Sequence, residues 1–333
     1  MKKILNRLTQ YETLTEKESR SIIIEISEGK LNTSEISSFL TIFMIRNITI
    51  EELNGFRKAL IELSLKIDLK EFDPIDLCGT GGDEKDTFNI STLASFVTAG
   101  SGVKVSKHGN YGVSSGCGSS NVLEYLGIKF NNDSDKIRRA VDKANICFLH
   151  APLFHPAMKN VAPVRKELGL KTFFNMLGPM VNPSMPKKQI VGVYNLELAR
   201  IYNYLYQTTE INYNIIHSLD GYDEISLTKG TKIYSRENEF ILESKDFNLE
   251  NIDSNNITGG KDIESSAKIF MDVLNGQASN DQENVVCANA SLAIAISKNK
   301  SILEAFSIAK ESIKSKSALK CFNNLINIMK WKF

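Results

Sequence analysis

The sequence predicts an α/β fold joined to a small all-helical domain. Three observations predict it. Residues 1 to about 68 carry only helical signals, short apolar runs alternate with glycine-rich turns and helices beyond Pro74, and the C-terminal segment returns to helical spacing. A chain of 333 residues is long enough for about two domains. The change of texture at Phe72-Asp73-Pro74, where proline disfavours helix in the residue before it, places a helical domain over 1–70 and an α/β domain over 71–333.

The helical segment is justified by its caps. Thr15-Glu16-Lys17-Glu18, Asn32 to Glu35 and Thr49-Ile50-Glu51-Glu52 each set a capping side chain three residues ahead of a Glu. Ile36, Leu40, Phe43 and Met44 then recur on one helical face, and four short helices fit the stretch. In the α/β part, apolar runs at 75–78, 103–105, 146–149, 189–194 and 213–218 predict strands. Their alternation with helices predicts a largely parallel sheet. Runs at 225–227, 232–234 and 240–242 predict a short antiparallel meander, with Lys229-Gly230 as one turn. Near the C-terminus Ile302, Leu303, Phe306 and Ile313, then Leu319, Phe322, Leu325, Ile326 and Met329, keep helical spacing. Eight lysines (298, 300, 310, 314, 316, 320, 330 and 332) accompany Glu304 and Glu311 there, which a solvated helix face explains.

Composition narrows the function. Lys and Arg number 40 against 39 Asp and Glu, so net charge supports neither a nucleic-acid nor a membrane partner. No apolar run reaches the ~18–20 residues needed to span a bilayer, and no apolar secretory segment follows the basic start at Lys2-Lys3. A cytoplasmic protein is predicted. Cys78, Cys117, Cys147, Cys287 and Cys321 are scattered, without a C-x-x-C pair, and read as single thiols rather than a disulfide framework or zinc site.

The main chemical signal is Asp76-Leu77-Cys78-Gly79-Thr80-Gly81-Gly82-Asp83, followed by Phe88-Asn89-Ile90-Ser91-Thr92 and a helix over 93–99 that Gly100 ends. Glycines let a backbone approach a phosphate closely, and a helix N-terminus offers unpaired N–H groups and partial positive charge. The patterns G-x-x-x-x-G-K-[ST] and G-x-G-x-x-G are both missing, which argues against a P-loop or dinucleotide site. A tight strand-to-helix turn would explain the glycines equally well by itself.

A second loop repeats the theme. After a strand at 103–106 come Lys107-His108-Gly109-Asn110-Tyr111-Gly112, then Ser114-Ser115-Gly116-Cys117-Gly118-Ser119-Ser120-Asn121 and a helix over 122–126. Lys107 supplies a compact positive charge, and the paired loops suggest a ligand with phosphates at two places. Downstream, Asp220-Gly221-Tyr222-Asp223-Glu224 ends a strand with three carboxylates. Asp223 and Glu224 suit Mg²⁺, which takes one or two carboxylates plus substrate phosphates, although Asp-Gly is also a common solvent turn. Arg165, in a helix that Pro156 begins and Gly169 ends, is able to grip a carboxylate through its fork or to serve as an exposed helix charge.

Taken in order, GTGGD at 79–83, NIST at 89–92, KHGN at 107–110, HPAMKNVAPVRKELG at 155–169, FNMLGP at 174–179 and DGYDEIS at 220–226 closely resemble the anthranilate phosphoribosyltransferases. The likeness runs through nearly the whole chain. It implies a nucleoside phosphorylase/phosphoribosyltransferase-like fold, in which helices from about 156–180 complete the small helical domain and a homodimer forms through that domain. It implies transfer of the phosphoribosyl group of phosphoribosyl pyrophosphate (PRPP) to anthranilate, with release of pyrophosphate, in tryptophan biosynthesis. Carried over by position, Gly79, Gly82, Asp83, Asn89, Ser91, Thr92, Lys107 and Ser119 hold PRPP, with Thr87 also in the substrate-binding set. Ser91, Asp223 and Glu224 serve Mg²⁺. Asn110 and Arg165 orient anthranilate, with His108 nearby, and positioning and charge stabilisation by Lys107, Asn110 and Arg165 stand in for a catalytic triad. Three positions depart from the pattern. Tyr111 stands where relatives usually have Arg, Asn121 where they have Asp, and His150 where many have an apolar residue. A neutral Tyr111–Asn121 contact in place of an ion pair is expected. Other readings are a pyrimidine nucleoside phosphorylase, a phosphoribosyltransferase for another aromatic acid, and a silent relative that binds nucleic acid.

Overall fold

A computed structural model describes residues 1–112 and 117–330. Residues 114–116 of the second loop and Lys332 lie outside the described residues. In chain order the elements are α1 (Lys2–Leu8), α2 (Glu16–Ser27), α3 (Thr33–Ile45), α4 (Ile50–Leu63), β1 (Ile75–Gly79), α5 (Ile90–Gly100), β2 (Val105–Gly109), α6 (Ser119–Tyr125), α7 (Ser134–Ala144), β3 (Ile146–His150), α8 (Ala151–Phe154), α9 (Ala162–Leu168) and α10 (Phe174–Leu177). There follow β4 (Lys188–Gly192), α11 (Leu196–Gln207), β5 (Asn212–Ser218), β6 (Thr231–Ser235), β7 (Glu239–Leu242), α12 (Ile263–Leu274), α13 (Asn280–Lys298), α14 (Ile302–Lys314) and α15 (Ser317–Met329). The chain divides into two compact units, one of residues 1–67 and 151–185, the other of 68–150 and 186–333.

The first unit is helical. All three expected capping boxes form, at Thr15 with Glu18, Asn32 with Glu35 and Thr49 with Glu52, each N-cap stabilising its helix by ~0.5–2 kcal/mol. The core centres on aromatic rings. Phe56 stacks on Phe173 at 4.4 Å, and Phe39 and Phe43 meet both rings edge-on. Gly55 lets α4 approach α2, since a Cβ there would come within 2.6 Å of the Ser19 Cβ. The segment from Pro156 to Gly169 is not one helix. A 3-10 turn over Pro156–Asn160 precedes α9, which Gly169 ends in the left-handed region at φ 64°.

The second unit holds a seven-stranded sheet in the order β3-β2-β1-β4-β5-β6-β7. Strands β1 to β5 run parallel, while β6 and β7 are antiparallel. From β1 the chain builds outward through β2 and β3, then returns to add β4 on the opposite side. The gap between the C-terminal ends of β1 and β4 is therefore a topological switch point, where open α/β sheets hold ligands.

Three local expectations are corrected. Strand β2 starts at Val105, in register with β3 from Val105–Ile146 to Gly109–His150, so Lys107 and His108 lie on the strand rather than after it. Helix α5 starts at Ile90, which puts Ser91 and Thr92 in its first turn. Gly100 is the last residue of α5, as expected, and close packing also requires glycine there, since a Cβ would overlap the Ser312 side chain and come within 2.5 Å of Ala318 N. No strand forms at 225–227. Asn289 grips the Ile225 backbone, and Leu227 sits at φ 59°, which breaks the extended run.

The C-terminal lysines are largely engaged. Lys298 donates to Ser101 O at 2.5 Å, Lys310 pairs with Glu283 at 2.8 Å, and Lys316 donates to Asn275 O. Four of the five cysteines are buried, and all are free thiols. No helix of the described residues is long and apolar enough to cross a membrane.

Candidate active site

The site grows from the C-terminal end of β1. Beyond Gly79 the loop turns through Gly81 and Gly82 at φ 62° and 81°, conformations open to glycine at little cost. Those turns aim the Gly81 N–H at Asp223 Oδ2, 2.8 Å away. Gly79 and Gly192, paired across β1 and β4, make room for Asp223: a Cβ on Gly79 would lie 2.5 Å from Asp223 Oδ2, and one on Gly192 would collide with the Asp223 carbonyl. The glycine loop and the acidic pair are thus one structure at the switch point.

Glu224 meets the next element. Its Oε1 accepts from Ser91 N–H at 2.9 Å, at the N-terminus of α5, and Thr87 Oγ1 donates to its Oε2 at 3.4 Å. Asp83 Oδ2 lies 3.5 Å from Asp223 N. Both acidic side chains are buried. Burial, then the neighbouring Asp83, pushes Asp223 above the ordinary carboxylate range, against the pull of the Gly81 N–H. Burial pushes Glu224 up too, and the charges of Asp223 and Asp83 add to it. A buried carboxyl pair whose charged form is disfavoured until a cation lies beside it, and that offers only oxygen donors, suits the Mg²⁺ that the resemblance implies. Among the described residues no group of three His, Cys, Asp or Glu is assembled to hold a metal. The ion would therefore complete its shell with substrate oxygens and water.

Lys107 approaches from β2. It is buried, and its Nζ donates to Leu77 O at 2.5 Å. Burial lowers its pKa, while Asp76, Cys78, Glu224 and Asp223 pull it back up. Beneath it lies a network that the sequence did not single out. Asp76, a carboxylate inside a strand, accepts from His108 N–H at 3.1 Å and from Gln189 Nε2 at 3.0 Å, and Tyr206 Oη donates to Gln189 Oε1 at 2.6 Å. Asn289 is the other omission. Its amide receives Ile225 N–H at 3.0 Å and donates to Ile225 O at 2.9 Å, clamping the residue after Glu224. A charged residue within an apolar strand, and an Asn in a helix that is otherwise apolar at its centre, were the available signals.

The second loop is tied to α6. Asn110 O accepts from Ser120 N–H and from Ser119 Oγ, each at 3.2 Å. Asn89 Nδ2 donates to Cys117 O at 3.2 Å, linking this loop to the start of α5. Thr92 is buried in α5 and His108 is buried on β2. The expected Tyr111–Asn121 contact is replaced by two separate ones. Tyr111 Oη donates to Glu124 at 3.2 Å, and Asn121 Oδ1 accepts from Gly112 N–H and Gly118 N–H, both at 3.0 Å. The Asn121 amide oxygen thus accepts both backbone bonds without a charge.

The structure brings Gly79, Gly82, Asp83, Thr87, Ser91, Lys107, Asp223 and Glu224 to the C-terminal edge of the sheet, with Asn89 at the N-cap of α5, Asn110 on the second loop and Ser119 at the start of α6 beside them. Arg165 belongs to the helical unit. There its Nη2 donates to Asn175 Oδ1 at 3.0 Å, its guanidinium lies 5.5 Å from the centre of the Phe174 ring, and burial lowers its pKa.

Comparison with known proteins identifies the family. Residues 71–319 match the glycosyl transferase family, a/b domain, and residues 2–64 match its helical bundle domain. The chain is 60% identical, over 98% of both chains, to anthranilate phosphoribosyltransferase of Christiangramia forsetii. The Saccharomyces cerevisiae anthranilate phosphoribosyltransferase in complex with PRPP and Mg superposes with a TM-score of 0.90 at 28% identity, covering 98% of this chain and 96% of that one. The same yeast protein in complex with 4-fluoroanthranilate gives 0.87 at 27% identity, with the same coverage. The chain belongs to the anthranilate phosphoribosyltransferase family.

Proposed function

We propose that this chain transfers the phosphoribosyl group of PRPP to the amine of anthranilate, forming N-(5-phosphoribosyl)anthranilate and pyrophosphate in tryptophan biosynthesis. One observation carries the reading. In a chain 60% identical to a known anthranilate phosphoribosyltransferase, the glycine loop, the start of α5 and the Asp223–Glu224 pair converge at the sheet's switch point.

The parts suit the chemistry. The amine nitrogen bonds to C1 of the ribose as the C1–O bond to pyrophosphate breaks. The electron pair leaves with pyrophosphate, and the nitrogen then releases a proton. Asp223, Glu224 and Ser91 would hold Mg²⁺, which would supply positive charge against the leaving pyrophosphate. Gly79, Gly82, Asp83, Thr87, Asn89, Thr92 and Ser119 hold PRPP, and helix-terminal N–H groups favour its phosphates. Lys107, with its charge form weakened by burial, regains it beside an anion. Arg165 and Asn110 orient anthranilate near His108, and an Arg–carboxylate bond is worth ~1.5–3 kcal/mol. The nucleophile is already a free amine, so orientation replaces strong base catalysis. The enzyme works in the cytoplasm as a homodimer under this reading, and its mass by light scattering tests the dimer.

Anthranilate fluorescence, followed with PRPP and Mg²⁺, tests the function. Enzyme-dependent loss of signal that stops on adding chelator is expected. Folded protein that leaves the fluorescence unchanged at high enzyme concentration would overturn the assignment.

A further inference from the structure

His150 lies at the C-terminal end of β3, beside Gly109 of β2 in register. It is buried, and three neighbours surround its ring. Phe130 stacks on it at 4.6 Å with an interplanar angle of 17°. Tyr111 meets it edge-on at 4.7 Å. Its Nδ1 is 2.9 Å from the Oγ of Ser120, a fully buried hydroxyl. Burial lowers the pKa of the imidazole, with Glu124 opposing.

The two polar ends of this cluster flank the second loop. Tyr111 follows Asn110, and Ser120 follows Ser119. Asn110 O in turn receives Ser119 Oγ and Ser120 N–H, so the strand exit and the start of α6 are joined at one carbonyl. Gly109 keeps that junction tight, since a Cβ there would come within 2.7 Å of Ser119 Oγ. His150 contacts Tyr111 and Ser120 together, and so spans the strand exit and the start of α6.

We propose that His150 is a positioning residue, which sets the spacing of Asn110 and Ser119 by holding Tyr111 through its ring and Ser120 through Nδ1. The inference rests on the assignment of Asn110 and Ser119 to substrate. It gives the Tyr111 and His150 departures a joint role: the tyrosine ring packs against the imidazole, and Glu124 takes its hydroxyl.

The test uses the full chain, with PRPP binding measured by calorimetry in Mg²⁺ and turnover measured alongside. His150→Phe keeps a stacking ring and drops Nδ1, whereas Ser120→Ala drops the partner hydroxyl. Each is expected to weaken PRPP binding and raise its KM by roughly 3- to 10-fold, the size of one lost hydrogen bond, with kcat changed less than about twofold. The double variant is expected to be no worse than either single one, because both remove the same interaction. His150→Ala, which also removes the ring under Tyr111, is expected to raise the KM for anthranilate as well. Unchanged PRPP affinity in both single variants, or effects that multiply in the double variant, would overturn the proposal. A fall in thermal stability without a change in affinity would overturn it too. Because affinity for PRPP is read directly, wild-type protein that binds PRPP but leaves anthranilate intact would count against the anthranilate reading and not against this one.

Discussion

Glu52 shows how much one side chain is able to organise. As the second half of a capping box it accepts from Thr49 N–H at 2.9 Å, and its other oxygen accepts from Leu14 N–H at 2.9 Å while pairing with Arg46. It is fully buried, so removing it strands a buried guanidinium and two backbone N–H groups. Glu52→Ala is expected to destabilise the helical unit by ~3–5 kcal/mol, read as a lower midpoint in urea unfolding. A loss below about 1 kcal/mol, the range of an exposed pair, would show that the contact is not held in solution. The capping role was legible in the sequence because it spans three residues. The bond to Leu14 joins residues 38 apart, and only folding brings those together.

At the scale of elements, the meeting of β1, β4 and the loop after β5 governs the site. Gly192 ends β4 against the Asp223 carbonyl, with no space for a methyl group. Gly192→Ala is therefore expected to push Asp223 away from the Gly81 N–H. It should lower kcat/KM for PRPP by roughly 10²-fold, the cost that misplacement by about an ångström carries, and flatten the Mg²⁺ dependence. Wild-type Mg²⁺ titration in that variant would show that the loop absorbs the change. The sequence disclosed the glycine loop and the acidic pair as separate motifs but said nothing special of Gly192, whose restriction comes from a residue outside its own strand. The boundaries of β2 and α5 moved for a similar reason. Pairing with β3 carries β2 on through Lys107 and His108, although local spacing alone assigned them to a loop.

Across the whole molecule, acid stability gives a further test. His155 is buried, and that burial lowers its pKa from 6.5 to about 4, with a backbone bond to Val181 opposing. The unfolded chain takes up this proton near pH 6.5, whereas the folded chain resists until about pH 4. Stability from this group is thus complete above pH 6.5 and is lost as pH falls toward 4, by about 2 kcal/mol at pH 5. Thermal melts at pH 7 and pH 5 are expected to show a smaller acid loss in His155→Gln than in wild type; equal losses would place the acid sensitivity elsewhere. By itself the sequence determined the capped helices, the alternation of strands and helices, and the chemistry of the loops, because caps, periodicity and glycine turns act through near neighbours. Only the tertiary structure decided that Glu224 meets Ser91 N–H, 133 residues away, that Asn289 clamps Ile225, and that His150 sits under Tyr111. Those contacts follow from the strand order, which is set by which surfaces bury one another across the whole unit rather than by any local run of residues.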